Sequence, residues 1–461
     1  MRPNIFVYVA LLGWIPVVLG LFAMLPGRKA CVWAFLIAWL FLPEASIKLP
    51  GLTAYDKMSA ACVGVLVASM IFDSGTWFKF RPKIWDIPML IWSICPIFSS
   101  DSNGLGFYDG FGAAAYQTFD WGLPYLIGRV YFSDLPGLRE LAKGFIIGGL
   151  LYVPLCLYEI RMSPQLHLMV YGYHQYEFGQ SKRGSTYRPM VFMQTGLAVG
   201  MWMASCALIA FWVWRSKLFE RIAGMPMGFV AFVLFATAVG CRSRGAIALM
   251  GGGMIVLLLT YWTRLPIWLL ALVLVPPAYM WARATNYWDG QDLVKRLMIT
   301  DVTSGQSMAV RFQSERVIVD HALKRPWFGW AGWDRFRAKD EEGKDVGVPD
   351  GMWIIALGHN GMVGLVSFTT ALLLPVLLLI WRIPSRLWQH PGAAPAAALA
   401  VICALYMCDC LFNAMPNPLF VMAAGGICGL SVKIRDSMPA STPTRFAIPS
   451  RTLPGPAPAG A

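Results

Sequence analysis

Long apolar segments recur along the whole chain and limit what it can fold into. Short polar connectors separate them, and they lie at 5–25, 30–43, 58–72, 84–99, 110–128, 142–158, 190–213, 223–240, 245–262, 265–282, 362–381, 395–413 and 417–432. A helix needs about 20 residues to cross the ~30 Å hydrocarbon core of a bilayer. Only 14% of the residues are charged, against about 25% in soluble domains. The sequence therefore predicts an all-α polytopic membrane protein with about 12–13 transmembrane helices.

One long polar interval, about 284–361, interrupts this pattern. Lys and Arg concentrate in alternate short connectors, at 79–83, 129–143, 215–221, 264 and 382–386. Such a bias is typical of cytoplasmic loops. Residues 284–361 then form a large loop on the opposite, outer face, with short helices inside it, and the C-terminus is cytoplasmic. The first two spans stay undecided, because Arg2 and the pair Arg28–Lys29 cannot both be cytoplasmic if each span crosses once.

Residues 1–433 are predicted to form one integral membrane domain, and 434–461 a disordered cytoplasmic tail rich in Pro, Ala, Ser and Thr. The net charge is +13, yet residues 284–350 carry ten Lys/Arg against eleven Asp/Glu, so we expect no nucleic-acid partner. The ten cysteines lie in apolar segments or at their ends, without metal-ligand spacing. No nucleotide-binding or metal-binding motif is present, so no cofactor and no metal are expected.

Within the long loop, Val310 to Lys324 is predicted to be helical. Its charges fall at i,i+4 spacing, beginning with Arg311 and Glu315. Pro326 ends the helix, and the segment WFGWAGWDRF indicates a turn around Gly329 and Gly332.

Several arginines are predicted to lie at the outer face. Guanidinium groups bind phosphate oxygens in a bidentate manner, so arginines gathered there could hold a lipid diphosphate. The alternative is that they anchor helices at the level of the lipid headgroups. The candidates are Arg183 and Arg188, Arg242 and Arg244 in the short CRSRG link, and Arg311 and Arg316 on the loop helix.

Two residues are candidate general bases. Asp350 could take a proton from a sugar hydroxyl if its pKa is raised, or it could cap the helix that follows. His359 could act as a base or a phosphate ligand, or be a hydrogen-bonded core histidine. Trp327, Trp330 and Trp333 could stack on sugar rings or belong to an interfacial aromatic belt.

Three segments carry a resemblance to a known family. They are RGSTYRPMVFMQTGLAVG, CRSRGAIALM, and VRFQSERVIVDHALKRPWFGWAGWDRF followed by DGMWIIALGHNGMVGLV. Their order, and the large loop before the last spans, resemble the bacterial O-antigen ligase and Wzy-type polysaccharide polymerase superfamily. That resemblance implies a protein of the inner membrane that performs metal-independent, inverting glycosyl transfer from an undecaprenyl-diphosphate-linked glycan at the periplasmic face. It also implies that Arg188, Arg244 and Arg311 contact the diphosphate.

The sequence departs from the family at one place. The family commonly has His-Asn ten residues before the glycine that corresponds to Gly361, with a Glu nearby. Here the His place holds Asp350, the Asn place Gly351 and the Glu place His359. This departure favours a polymerase over a ligase, with Asp350 or His359 as the base.

The function predicted is therefore polymerisation or ligation of lipid-linked glycans for exopolysaccharide or O-antigen. Its partners are the lipid-linked oligosaccharide and membrane lipid, with a polysaccharide co-polymerase left open. The competing hypotheses are an O-antigen ligase acting on a lipid or protein acceptor, another membrane polymerase of cell-wall precursors, and a lipid-glycan flippase or solute transporter. A transporter is expected to place paired charges near mid-membrane on broken helices.

Overall fold

The computed structural model describes residues 3–48, 54–183, 186–300, 302–332 and 334–436. Within these ranges the chain is mostly helical, with two small β-hairpins, β1 (Lys182–Arg183) with β2 (Thr186–Tyr187) and β3 (Arg221–Ile222) with β4 (Met225–Pro226). The α-helices are α1 (Ile5–Leu12), α2 (Trp14–Met24), α3 (Gly27–Phe41), α4 (Lys57–Phe72), α5 (Ser74–Phe78), α6 (Ile87–Ser102), α7 (Phe107–Gln117), α8 (Leu123–Tyr131), α9 (Leu135–Met162), α10 (Leu166–Tyr171), α11 (Gly196–Arg215), α12 (Met227–Gly240), α13 (Arg244–Thr263), α14 (Ile267–Ala284), α15 (Gln291–Thr300), α16 (Val302–Ala322), α17 (Met352–Arg382), α18 (Ala394–Asp409) and α19 (Pro418–Asp436).

Within the described residues, six helical stretches are long and apolar enough to cross a membrane. They are Ile5–Met24, which comprises α1 and α2, and the helices α9, α11, α13, α14 and α17. Shorter apolar helices lie among them, namely α4, α12, α18 and most of α19. The predicted class, an all-α protein with several membrane-spanning helices, is confirmed at this level.

Polar caps determine where several helices begin. The Asp56 carboxylate accepts hydrogen bonds from the backbone N–H groups of Met58 and Ser59 at the start of α4. Asp134 and Thr195 do the same for the first turns of α9 and α11. A cap satisfies N–H groups that have no partner within the helix, so the helix starts at the cap rather than where the apolar run becomes continuous. This explains why α9 begins at Leu135 and not at residue 142.

The centre of the bundle is made of helices that are buried on all sides. Every residue of α18 is buried, and so are most residues of α11. Peripheral helices instead expose large apolar side chains, such as Ile255 and Trp262 on α13 and Leu274 on α14. A surface that is apolar outward as well as inward suits lipid rather than water as the surrounding solvent.

The basic connectors meet at one end of the bundle, which we call the basic end. Arg129 donates from Nε to Asp86 at 2.6 Å, and Arg28 forms an ion pair with Asp134. Further contacts join the connectors near 215, 264 and 385, namely Trp212 with Trp388 and Arg264 with Ser385. Residues predicted to lie on the same side of the membrane are therefore close together.

The long polar interval lies at the opposite end, which we call the loop end. Helix α11 has 20 residues, so its two ends are roughly 30 Å apart. The connector between α18 and α19 lies near the start of α11. Its Asn413 carbonyl accepts a hydrogen bond from the N–H of Met352, and its Phe412 carbonyl accepts one from the side chain of Arg311. The beginnings of α11 and α17 and the loop helix α16 thus converge here.

The first and the last described helices place the two ends of the described chain at opposite ends of the bundle. Asn4 donates to the carbonyls of Val170 and Tyr171 at the loop end, whereas Arg28 is at the basic end. The last helix, α19, packs against Arg129 near its own end. The pair at 28–29 therefore lies with the other basic connectors, and Arg2 lies outside the described residues.

Three predicted boundaries are wrong. The helix after the long loop begins at Met352 rather than at residue 362, so the last part of the predicted loop is helical. The loop helix α16 begins at Val302 rather than at Val310 and ends at Ala322. The last helix ends at Asp436 rather than at residue 432, and residues 437–461 lie outside the described part of the chain.

Candidate active site at the loop end

A cavity of about 710 Å³ opens at the loop end between the long loop, the start of α11 and the connector after α18. Its charged lining consists of Arg188, Arg311, Arg337 and Asp350. Arg337 also pairs with Asp345 beside the cavity, so three guanidinium groups stand against two carboxylates. The remaining net positive charge favours an anionic ligand. We call it the arginine cavity.

Arg188 reaches the arginine cavity from the segment that precedes α11. Its backbone N–H donates to the Ser181 carbonyl at 2.8 Å, and its aliphatic stem packs on Gly196, the first residue of α11. A Cβ at position 196 would overlap the Cγ and Cδ of Arg188, so the close approach requires glycine. The side chain is thereby held beside the N-terminus of α11, where helix N–H groups also favour negative charge.

Arg311 and Asp350 face each other across the arginine cavity. The Nε of Arg311 lies 3.4 Å from the Oδ2 of Asp350, and the Nη1 of Arg311 donates to the Phe412 carbonyl at 3.3 Å. The cap of α17 is Gly351, without a side-chain hydrogen bond, so Asp350 does not cap that helix. Its side chain is 41% exposed, which leaves the carboxylate open to a ligand in the cavity.

The environment of Asp350 alters its basicity. Burial raises the pKa of Asp350 above its ordinary value, and the positive charge of Arg311 partly opposes this rise. A carboxylate with a raised pKa is a stronger base, which suits the removal of a proton from a hydroxyl group.

A buried polar network docks the loop helix onto α14. Arg283 donates from Nε to Glu315, and the hydroxyl of Tyr279 donates to the other carboxylate oxygen at 2.9 Å. The remaining guanidinium nitrogens donate to the carbonyls of Trp288 at 3.1 Å and Phe312 at 2.9 Å. Burial raises the pKa of Glu315, and its hydrogen bond with Arg283 opposes the rise. Every charged group in this network therefore has partners, as burial requires.

This network also orients Arg311, which lies one helical turn before Glu315. The predicted intrahelical pair of Arg311 with Glu315 is wrong, because Glu315 pairs with Arg283 on α14 and Arg311 pairs with Asp350. Partners from other elements replaced a weak pair on the helix surface.

The predicted turn after α16 packs into a break in α17. Gly361 has φ 64° and ψ −161°, so it interrupts the helix, and Gly329 in the turn also has a positive φ of 68°. Backbone hydrogen bonds from the turn replace the helical ones that are lost. They run from Trp330 N–H to Gly358, Ala331 N–H to His359, Met362 N–H to Pro326 and Val363 N–H to Trp327.

Two of the predicted sugar-stacking tryptophans, Trp327 and Trp330, do not line the arginine cavity. Trp330 stacks on the ring of His321 at 4.4 Å and donates its indole N–H to the His321 carbonyl at 3.0 Å, so it packs within the loop. Trp327 is 69% exposed on the outer surface of the turn. Trp333 lies outside the described residues.

His359 lies in a second cavity of about 610 Å³, which we call the acidic cavity. Its titratable lining consists of Glu44, Asp56, Lys57, Tyr116, Asp120 and His359. The ring of His359 packs edge-on against Phe336 at 4.6 Å. The rise of α17 separates His359 from Asp350 by roughly 12 Å. The two predicted bases therefore line different cavities.

Three of the other predicted arginines lie outside the arginine cavity. Arg242, Arg244 and Arg316 are exposed, and none of them lines it in the described part of the chain. Ser243, between the first two, packs on Gly200, one turn along α11 from the glycine that Arg188 contacts. This link is thus near the site without entering the cavity. Arg183 lies in β1, and its side chain is outside the described set.

Sequence reasoning missed three residues of these cavities. Arg337 enters the arginine cavity from the irregular part of the loop, and Gln194 lines both cavities. Asp120 is a lone acid in an apolar segment, and that alone could have marked it as a candidate. Nothing in the sequence around Arg337 or Gln194 marks either one as a cavity residue.

Among the described residues, no group of three or more His, Cys, Asp or Glu side chains is arranged to hold a metal ion. No protein-family model matches the chain, and no curated protein matches it significantly.

Proposed function

We propose that this protein is an inner-membrane glycosyltransferase that polymerises glycans carried on a polyprenyl diphosphate such as undecaprenyl diphosphate. The observation that carries the proposal is the arginine cavity, where Arg188, Arg311 and Arg337 face one space together with Asp350. A lipid diphosphate carries the negative charge that such a space favours, and guanidinium groups match its oxygens in geometry.

The proposed reaction divides the work between these residues. Asp350 takes the proton from an acceptor sugar hydroxyl, whose oxygen attacks C1 of the donor sugar. The bond from C1 to the phosphate oxygen breaks with inversion, and the diphosphate leaves with the electron pair. The guanidinium groups stabilise the negative charge that develops on this leaving group. The raised pKa of Asp350 supports its role as base.

The proposal includes an orientation. In it the chain crosses the membrane about 12–13 times, with the basic end in the cytoplasm and the long loop in the periplasm. All ten native cysteines are buried, so an introduced thiol can be labelled selectively. In intact cells a membrane-impermeant maleimide is expected to label Gly343→Cys and not Arg386→Cys. The opposite labelling pattern would overturn the orientation.

The proposed chemistry is tested by binding and turnover in proteoliposomes. Arg311→Ala and Arg188→Ala are each expected to weaken undecaprenyl diphosphate binding about 10- to 100-fold, the loss of a charge-assisted hydrogen bond. Asp350→Asn is expected to keep this binding and to lose polymer formation from the lipid-linked glycan. Lys295→Ala, an exposed cation in the same loop, serves as the control. Normal binding and normal polymer from all three variants would refute the proposal.

A lipid-glycan flippase or solute transporter is the second candidate function. Helices interrupted at Gly361 and at the π-helical segment Thr118–Gly122, which contains Asp120, favour it. A transporter would still move its substrate in the Asp350→Asn variant and would form no glycosidic bond. Transport without polymer formation in the wild-type protein would therefore select this candidate.

A further inference from the structure

The acidic cavity adjoins the arginine cavity but has a different chemistry. Gln194, Ile355 and Ala414 line both spaces, so the two are neighbours that share a wall. The acidic cavity opens at the loop end, below the turn residues Ala331 and Gly332. Its volume of about 610 Å³ falls in the ~300–1,000 Å³ range of small-molecule sites.

The charges of this second space do not favour an anion. Glu44, Asp56 and Asp120 outnumber the one lysine, Lys57. That lysine is already engaged, because its ammonium pairs with Glu44 and lies 4.0 Å from the centre of the Trp39 ring. A diphosphate or an acidic sugar therefore meets no available cation among the described titratable groups that line the cavity.

The remaining lining matches an uncharged sugar. Tyr116, which is 48% exposed, offers an apolar ring face, and carboxylate and amide groups can exchange hydrogen bonds with neighbouring hydroxyls. Asp120 lies in the π-helical segment Thr118–Gly122, a local geometry that is frequent at functional sites. The aromatic lining is Trp39, Tyr116 and Trp121, and the amides are Gln117, Gln194 and Asn360.

We propose that the acidic cavity binds an uncharged sugar unit of the acceptor glycan, a role that rests on the proposed function. The diphosphate and the donor sugar attached to it occupy the arginine cavity beside Asp350. An acceptor held in the neighbouring space extends its hydroxyl past Gln194 toward that carboxylate. Substrate glycans that end in acidic sugars are thereby disfavoured as acceptors.

Two probes separate the cavities in protein reconstituted into nanodiscs. Undecaprenyl diphosphate without sugar reports on the arginine cavity. The free one-repeat oligosaccharide, released from the polysaccharide of the producing cells, reports on the acidic cavity. Asp120→Asn is expected to weaken oligosaccharide binding about 10- to 100-fold and to leave undecaprenyl diphosphate binding unchanged. Arg311→Ala is expected to weaken undecaprenyl diphosphate binding and to leave oligosaccharide binding unchanged.

Asp109→Asn is the matched control, because it makes the same change at an exposed position of α7 outside both cavities. Tyr116→Phe removes one hydroxyl and carries the test if Asp120→Asn does not fold. Oxidising the primary alcohols of the oligosaccharide to carboxylates is expected to weaken its binding to the wild-type protein at least about tenfold.

Three results would overturn the assignment. They are unchanged oligosaccharide binding in both cavity variants, equal or tighter binding of the oxidised oligosaccharide, and loss of undecaprenyl diphosphate binding in Asp120→Asn. Failure of the wild-type protein to bind undecaprenyl diphosphate would instead refute the proposed function. Oligosaccharide binding is measured without that lipid, so the two failures can be told apart.

Discussion

Replacing Glu315 with alanine removes the carboxylate that docks α16 onto α14. Its side chain is 4% exposed and that of its partner Arg283 is 5% exposed, so the variant leaves a buried guanidinium without its counter-charge. Breaking one side of a buried ion pair costs about 3–5 kcal/mol. The hydroxyl of Tyr279 loses its acceptor as well. We therefore expect α16 to detach locally and Arg311, one turn away, to leave the arginine cavity.

Hydrogen exchange measured by mass spectrometry on the protein in nanodiscs checks this. A loss of about 3–5 kcal/mol corresponds to roughly 10²–10⁴-fold faster exchange of the amides in 302–322, if these amides exchange by local opening. Asp320→Ala removes an exposed acid from the same helix and is expected to leave their exchange unchanged. The double variant Arg283→Met with Glu315→Met removes both charges and is expected to recover most of the protection. Wild-type exchange rates in Glu315→Ala would refute the docking role.

Three further predictions follow from the same structure. Gly329→Ala places a Cβ 2.6 Å from the Gly358 carbonyl oxygen, whereas Gly343→Ala, also at positive φ, meets open space. In thermal unfolding, the free energy of unfolding is therefore expected to fall by more than about 3 kcal/mol for Gly329→Ala and by about 1 kcal/mol for Gly343→Ala. Equal losses would contradict the close packing. Arg311 lowers the pKa of Asp350, so Arg311→Gln is expected to move the acid limb of the pH–activity profile to higher pH, and a shift to lower pH would exclude Asp350 as the base. Burial lowers the pKa of His167 to about 4 from its ordinary 6.5, so the unfolded state binds the proton more tightly than the folded state. The contribution of His167 to stability is therefore expected to be full above pH 6.5 and to fall as the pH drops toward 4. In thermal melts, His167→Gln is expected to flatten this dependence.

The sequence predicted an all-α protein because the length of each apolar segment can be read from that segment alone. They located helix ends less well, and α17 shows why. The polar residues His359 and Asn360, followed by Gly361, suggested that the membrane segment began after them. In the structure these residues lie inside α17, because the turn at 326–331 supplies the hydrogen bonds that the break removes. Such partners come from distant parts of the chain, and a local pattern cannot show them.

The site was predictable only in part for the same reason. Arg188, Arg311 and Asp350 were expected near one another, and the structure places all three on one cavity. Arg242, Arg244 and Arg316 carry the same chemistry, yet they lie outside that cavity. Residue type and predicted membrane side could not separate the two groups. What separates them is packing, such as the room that Gly196 leaves for the stem of Arg188.

The break in α17 constrains how this protein can change over time. At the break, the peptide groups of a membrane helix depend on the backbone of residues 326–331 for their hydrogen bonds. Removing that turn would leave those groups without partners near the bilayer, where each costs several kcal/mol. Insertions and deletions are therefore tolerable at the exposed tip around 340–344, while the length of chain between α16 and the turn must stay constant. The loop and the helix can be inherited or exchanged only as one unit.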